Sequence, residues 1–338
     1  MTYRDAGVNI DEGMKVVDKI KARMKGVVSS SVLSGIGGFG GIVDISHTGV
    51  AHPVLVSSID GVGTKTKIAA AYGKYNGIGK DIVGHCVNDI AVQGARPLFF
   101  LDYIGVASLD SEQVDHIIAG IIEACRDEEC ILIGGETAEM PGVYCDNEFD
   151  LVGCIVGIME KGRIITGKNI SEGNVIIGLP SAGIHTNGFS MVRKVLLDSG
   201  AFSLTDTPSE LTQPLGDELL IPHRCYGKII RELCDSIAVK GMAHITGGGL
   251  IDNIPRILPD GLDAVIDSSS WNVLPVFSLI QNTGQIDPLE MYRVFNMGIG
   301  LTIIVDKKDV EKVCLCAEHF KPVVIGEIAK GERQVKII

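Results

Sequence analysis

An apolar run of strand length that stops at an acid or at glycines recurs along this chain. That pattern restricts the possible folds more than any other feature. It first occurs at Val54 to Ile59, which predicts a buried strand and runs into Asp60-Gly61-Val62-Gly63-Thr64-Lys65. It returns at Leu98 to Asp102, at Cys130 to Glu136 through Gly134 and Gly135, and at Val175 to Leu179, which leads into Pro180 to Ser190. Between the runs lie stretches of helical spacing, such as Val114, Ile117, Ile118, Ile121 and Cys125 behind a capping Asp110 or Ser111. Strands alternating with amphipathic helices predict an α/β protein, and strand ends in such folds are where ligands bind.

The segment from Gly77 to Gln93 predicts a helix with two unlike faces. Ile82, Val83, Cys86, Val87 and Ile90 share one face, while Asp81, His85, Asn88 and Asp89 fall on the other. A polar face that merely meets water usually carries Lys, Glu or Arg, and this one carries none. Short carboxylates near a strand-end acid suit a hydrated Mg²⁺ on nucleotide phosphates, because that ion takes a few carboxylate oxygens together with phosphate and water. Asp60 and Asp89 are therefore candidate metal or phosphate-site acids.

With 338 residues, the chain has the length of about two domains. Apolar periodicity lapses near Gly162, which predicts domains over 1–162 and 163–338. The 42 glycines cluster before predicted helices instead of forming repeats, as expected where backbone approaches a ligand. A formal charge of -12 without Lys/Arg clusters argues against a nucleic-acid partner. Nine cysteines without a Cys-x-x-Cys pair argue against a structural zinc and fit thiols in a reducing cytosol. No apolar run reaches the roughly 18 residues that a membrane span needs.

Other candidates follow in chain order. Residues 8 to 25 predict a helix with Ile10, Met14, Val17, Ile20 and Met24 on one face and solvated lysines around it. The loop Gly35 to Gly41 can lie over phosphates, since nothing protrudes from its backbone, but glycine spacing serves a surface loop equally well. Glu136 follows Gly134 and Gly135 at a point that a ligand can approach, whereas Glu139 has as strong a claim to a turn or capping role. In the second half, His185-Thr186-Asn187-Gly188 precedes a helix, a plausible anion pocket or a plain capped turn. His244 abuts Thr246 and three successive glycines, Gly247 to Gly249, which leave it open to a ligand.

Taken together, Gly37-Gly-Phe-Gly40, Asp60-Gly-Val-Gly-Thr-Lys65, Cys86-Val-Asn-Asp89, Gly134-Gly-Glu-Thr-Ala-Glu-Met-Pro141 and His244-Ile-Thr-Gly-Gly-Gly249 resemble the phosphoribosylformylglycinamidine cyclo-ligase family, or aminoimidazole ribonucleotide synthetases, from Tyr3 to the final strand. The resemblance implies a two-domain α/β fold whose N-terminal domain pairs with that of a second chain, a homodimer closed by a β-barrel. It implies a cytoplasmic ligase of purine synthesis that uses ATP and Mg²⁺ to convert formylglycinamidine ribonucleotide to aminoimidazole ribonucleotide. ATP would phosphorylate the formyl amide oxygen, and the amidine nitrogen would then displace phosphate to close the ring. On this pattern Lys21, Gly37, Gly38, Gly40, Asp60, Gly61, Gly63, Thr64, Lys65, Asp89 and Glu136 would serve the nucleotide, with Asp60 and Asp89 at the metal. His185 and His244 would handle the substrate, with Asp89 and Lys21 also acting in the chemistry. Selenophosphate synthetases share the fold but carry a reactive Cys or selenocysteine in the N-terminal glycine-rich loop, and here no Cys precedes Cys86.

Overall fold

Burial alternates residue by residue over residues 149–156 of the strand Phe149–Glu160, as a pleated sheet with one covered face requires. In the computed structural model, which describes residues 10–24, 29–33 and 40–338, the chain divides into two units. One comprises Met1–Ile90 and Arg96–Gly162, the other Ala91–Ala95 and Arg163–Ile338.

The first unit holds α1 (Ile10–Met24), β1 (Pro53–Gly61), α2 (Lys65–Tyr72), α3 (Asn76–Ala91), β2 (Arg96–Val106), α4 (Ser111–Asp127), β3 (Ile131–Glu139) and β4 (Phe149–Glu160). Its sheet has the order β1-β4-β2-β3, antiparallel except for the parallel β2/β3 pair. Ile82, Val83, Cys86, Val87 and Ile90 of α3 are fully buried. Each such side chain contributes roughly 1.5–3 kcal/mol by leaving water. Glycines at 153 and 157 of β4 make the room, since a Cβ there would strike Ile82 and Ile90. Most of the other face of α3 is shielded from water too, for Asp81, His85 and Asn88 are buried and Asp89 is partly exposed.

Helices α3 and α4 approach backbone to backbone. A Cβ on Gly79 would lie 2.1 Å from Ile117 O, and one on Gly120 would lie 2.0 Å from Asn76 O. Backbone cannot yield as a flexible side chain does. Gly120→Ala is therefore expected to lower unfolding free energy by about 1–3 kcal/mol, read as a shift of the urea midpoint at unchanged slope. A variant with the parent's midpoint would mean that the helices separate without cost.

The structure corrects the expectation for Val54 to Ile59. β1 is an edge strand, and Leu55 and Ile59 are 58% and 69% exposed. They share a face with Val152, Cys154 and Val156 of β4 and Phe99, Leu101 and Tyr103 of β2, all of them only half-buried. Strand-length hydrophobicity cannot tell a strand covered on both faces from one that presents an apolar face outward.

The second unit has the strand order β10-β7-β9-β5-β8-β6. Its strands are β5 (Val175–Pro180), β6 (Gly241–His244), β7 (Leu262–Ile266), β8 (Ile299–Val305), β9 (Val323–Lys330) and β10 (Val335–Ile337). Its helices are α5 (Phe189–Val192), α6 (Leu215–Leu219), α7 (Gly227–Ser236), α8 (Gly249–Asn253), α9 (Pro275–Gly284), α10 (Pro288–Val294) and α11 (Val310–Cys316). β8 is buried along its whole length, and Leu301, Ile303 and Val305 pack with Ile229, Ile230 and Leu233 of α7. Both β5 and β6 run antiparallel to β8, so their C-terminal ends emerge at the same edge of the sheet.

Candidate active site

In the first unit the acids meet where β1 ends. His85, one helical turn before Asp89 on α3, places Nε2 2.8 Å from Asp60 Oδ2 and 3.9 Å from Asp89 Oδ2. Ser58 Oγ donates to Asp89 Oδ2 at 3.0 Å, and the Gly61 N–H donates to Asp60 Oδ1 at 2.7 Å. Burial pushes the Asp60 carboxyl up, but the hydrogen bond and charge of His85, with the Gly61 amide, outweigh it and hold the group below the usual carboxylate range. Burial likewise disfavours charge on His85, yet Asp60 first, then Asp89 and Asp81, raise it above the ordinary imidazole value. Two carboxylate oxygens thus face one imidazole nitrogen. The paired carboxylates fit a small divalent cation that takes a few carboxylate ligands.

Lys65 does not reach toward a ligand as its motif suggested. Its ammonium is fully buried and paired with Asp81 at 2.7 Å, so it braces α2 against α3 inside the unit. Such a pair contributes little net stability but cannot lose one member cheaply. Thr64 stands at the N-cap position of α2 without capping it through its side chain, and Gly63 adopts φ +67 in the open turn. The glycine-rich loop enters and leaves through a short antiparallel bridge, Val32 with Val43. Gly40 lies exposed beyond it, and Gly37 and Gly38 fall outside the described residues.

A cavity of about 700 Å³ lies in this unit between α1 and β3. Lys21, Glu136, Gly134 and Gly135 line it together with apolar Met14 and Val17. The bidentate ion pair of Arg23 with Asp115, at 2.6 Å through both nitrogens, ties α1 to α4 and so holds Lys21 in place. Glu136 belongs to β3 itself, beyond the point where glycines were expected to end the strand, while Glu139 at the end of β3 accepts the Leu109 N–H at 2.8 Å, tying it to the chain after β2.

Asp102 also lines this cavity although only 8% exposed, and burial raises its carboxyl from 3.8 to about 7, against its own backbone N–H. Glycines 135 and 153 pair with it on either side. The folded value lies above the unfolded one, so the native state keeps a proton that the unfolded chain releases between about 4 and 7. Stability therefore falls as pH rises through that window, and the full penalty, on the order of 4 kcal/mol, applies above about 7. Asp102→Asn is expected to raise Tm more at pH 8 than at pH 5. An equal gain at both would show that the carboxyl titrates normally.

In the second unit three histidines come together, all buried. His185 follows β5 with φ +67, a conformation uncommon outside glycine. Its ring occupies space left by Gly300, where a Cβ would lie 2.7 Å from His185 Cε1 and 2.1 Å from Tyr226 Oη. Its Nε2 accepts from the N–H groups of Ala182 at 3.3 Å and Arg224 at 3.5 Å, so its lone pair sits there. His244 ends β6, and its Nε2 is 2.9 Å from Nε2 of His223, which stacks on His185 with centroids 3.9 Å apart at 22°. Beside them Asn253 Nδ2 donates to the carbonyls of Thr246, Gly247 and Gly249, shaping the triple-glycine turn.

Comparison with known proteins assigns the fold. A family model described as AIR synthase related protein, N-terminal domain, matches residues 42–159, and its C-terminal counterpart matches residues 171–338. The phosphoribosylformylglycinamidine cyclo-ligase of Bacillus cytotoxicus is 51% identical over 97% of this chain and 95% of its own length. That of a Thermoanaerobacter species is 52% identical over 98% of both, and that of Carboxydothermus hydrogenoformans is 49% identical over 100% of this chain and 98% of its own. The chain belongs to the phosphoribosylformylglycinamidine cyclo-ligase family. Among solved structures, thiamine-monophosphate kinase from Stenotrophomonas maltophilia aligns with TM-score 0.69 at 17% identity, covering 96% of this chain and 95% of its own. The E. coli hydrogenase maturation protein HypE aligns with TM-score 0.68 at 15%, covering 96% and 93%. At those identities the likeness concerns fold alone.

This cyclo-ligase family member contains three polar groups that its sequence did not single out as site residues. His85 was visible only as the imidazole of the α3 stripe, four residues before Asp89. Asp102 was visible as one more acid at a strand end. His223 lies in an irregular stretch between α6 and α7, where nothing local sets it apart.

Proposed function

We propose that this family member is the ligase that closes the imidazole ring of aminoimidazole ribonucleotide from formylglycinamidine ribonucleotide at the expense of ATP, a step of de novo purine synthesis in the cytoplasm. The observation that carries the reading is identity of 49–52% along essentially the whole chain with relatives bearing that enzyme's name. An amide oxygen is a poor leaving group, so transfer of a phosphoryl group to the formyl oxygen prepares it for displacement by the amidine nitrogen, with ADP and phosphate released. Catalysis is then mainly positioning and charge stabilisation.

In this reading the first unit holds the nucleotide. Asp60 and Asp89 would hold Mg²⁺, which when bound neutralises phosphate charge. Lys21 supplies a cation and Glu136 an acceptor on the wall of the 700 Å³ cavity. Lys65 acts from behind, through Asp81. The second unit supplies His185 and His244 to the substrate, with His244 moving a proton or stabilising charge. We assign nucleotide binding and dimerisation to residues 1–162 and the synthetase-like domain to 163–338. A second copy of the chain is the cover that suits the half-exposed apolar face around Leu55, Ile59, Phe99 and Val156. The cytoplasmic assignment draws support from nine cysteines that form no disulfide. Among the described residues, no helix is long and apolar enough to cross a membrane.

The test is ADP release by purified protein with Mg-ATP, with and without formylglycinamidine ribonucleotide, beside a colour assay for the aminoimidazole. Stoichiometric ADP and aminoimidazole that both require the substrate support the reading. ATP hydrolysis without ring closure moves the activity to another branch of the fold.

A further inference from the structure

We infer that His223 is a positioning residue for ring closure: it links the two substrate-facing histidines and sets the tautomer of His244. The inference rests on the reading of His244 as the group that acts on substrate.

The geometry is specific. A nitrogen-to-nitrogen contact of 2.9 Å between the Nε2 atoms of His223 and His244 is a hydrogen bond only if one carries a proton and the other a lone pair. Where both rings are neutral they are therefore complementary. If His223 donates, His244 has its own proton on Nδ1; if His244 donates, its Nδ1 has a lone pair. Either way the neighbour decides which chemistry Nδ1 of His244 can perform, as second partners of imidazoles generally do.

His223 is held so that it cannot turn away. Its Nδ1 lies 3.3 Å from the Thr186 hydroxyl, which can donate or accept, and its face is stacked on His185. The cluster is built at some cost, with buried imidazoles, a non-glycine residue at positive φ and a glycine at 300 that leaves room for the His185 ring. An apolar side chain at 223 would fill the same space without these demands. Thr186 and Asn187 follow His185 directly, so the substrate loop after β5 and the end of β6 are joined through one ring.

The experiment compares His223→Phe, which keeps a ring on His185 but removes both hydrogen bonds, with His223→Gln, whose terminal amide retains a polar group near the position of Nε2. The protein is labelled with ¹⁵N-histidine, and the His244 resonances are assigned by their loss in a His244→Gln variant. The parent is expected to show His244 as one neutral tautomer and His223→Phe a mixture. In parallel, kcat for ring closure is expected to fall about 10–100-fold in His223→Phe, with KM for ATP unchanged and most of the loss restored in His223→Gln. An unaltered His244 tautomer in His223→Phe overturns the inference, as does an equal loss of kcat in both variants. A tautomer change without any loss of kcat defeats the assignment of His244 to the chemistry and, with it, the role of His223 in ring closure, leaving only the link between the two rings.

Discussion

Asp89→Ala is expected to lower kcat for ring closure on the order of 10²–10³-fold, the largest effect anticipated for a single acid here. Asp89 lies on the same polar stripe of α3 as His85, one turn later, and its carboxylate takes the Ser58 hydroxyl while facing the nitrogen that also meets Asp60. In the proposed reading its removal would leave Asp60 as the one acid of the pair to hold the divalent ion. The fold should tolerate the change, because the side chain is 28% exposed and fills no core position. The measurement is steady-state ADP release across a Mg²⁺ titration, with a thermal melt to show that the protein remains folded. Asp89→Asn should recover part of the loss at high Mg²⁺, since one oxygen ligand remains. Parent-like turnover in Asp89→Ala would remove this acid from the nucleotide site.

His244→Ala is expected to depress ring closure by about 10²–10⁴-fold and leave nucleotide affinity intact. The two effects should separate because the proposed reading gives His244, at the end of β6, to the substrate and Asp60 and Asp89 to the nucleotide. A stability cost of about 1–3 kcal/mol should accompany it, since His223 loses its Nε2 partner inside a buried cluster. Calorimetric binding of ATP beside single-turnover formation of aminoimidazole distinguishes the cases. Loss of ATP affinity with ring closure otherwise preserved would place His244 at the nucleotide instead.

The parts of this fold legible in the sequence were those governed by local rules. The apolar face of α3 appears at the predicted positions because a 3.6-residue period puts Ile82, Cys86 and Ile90 on one side whatever lies opposite. Asp110 caps α4 through the N–H groups of Glu112 and Gln113, a contact that reaches only two and three residues. The exposure of β1 was not legible in the same way. Its alternation depends on its place at the edge of the sheet, and an apolar strand reads alike whether its outer face is covered or open.

Lys65 shows the same limit at the site. Its motif places a lysine in a turn beside an acid, but the ammonium is buried against Asp81 on the next helix. His85 on α3 reaches back past α2 to Asp60 at the end of β1, and His223 meets His244 from another loop. By itself the sequence determined the family, the alternation of strands and helices in the first unit, and the stations of Asp60, Asp89, His185 and His244 near the ends of elements or on a polar stripe. Tertiary structure alone decided which of those groups are paired, buried or tuned in charge. A side chain's spacing along the chain fixes the direction in which it leaves its element, whereas its solvation and its partner depend on residues brought near only when the elements pack.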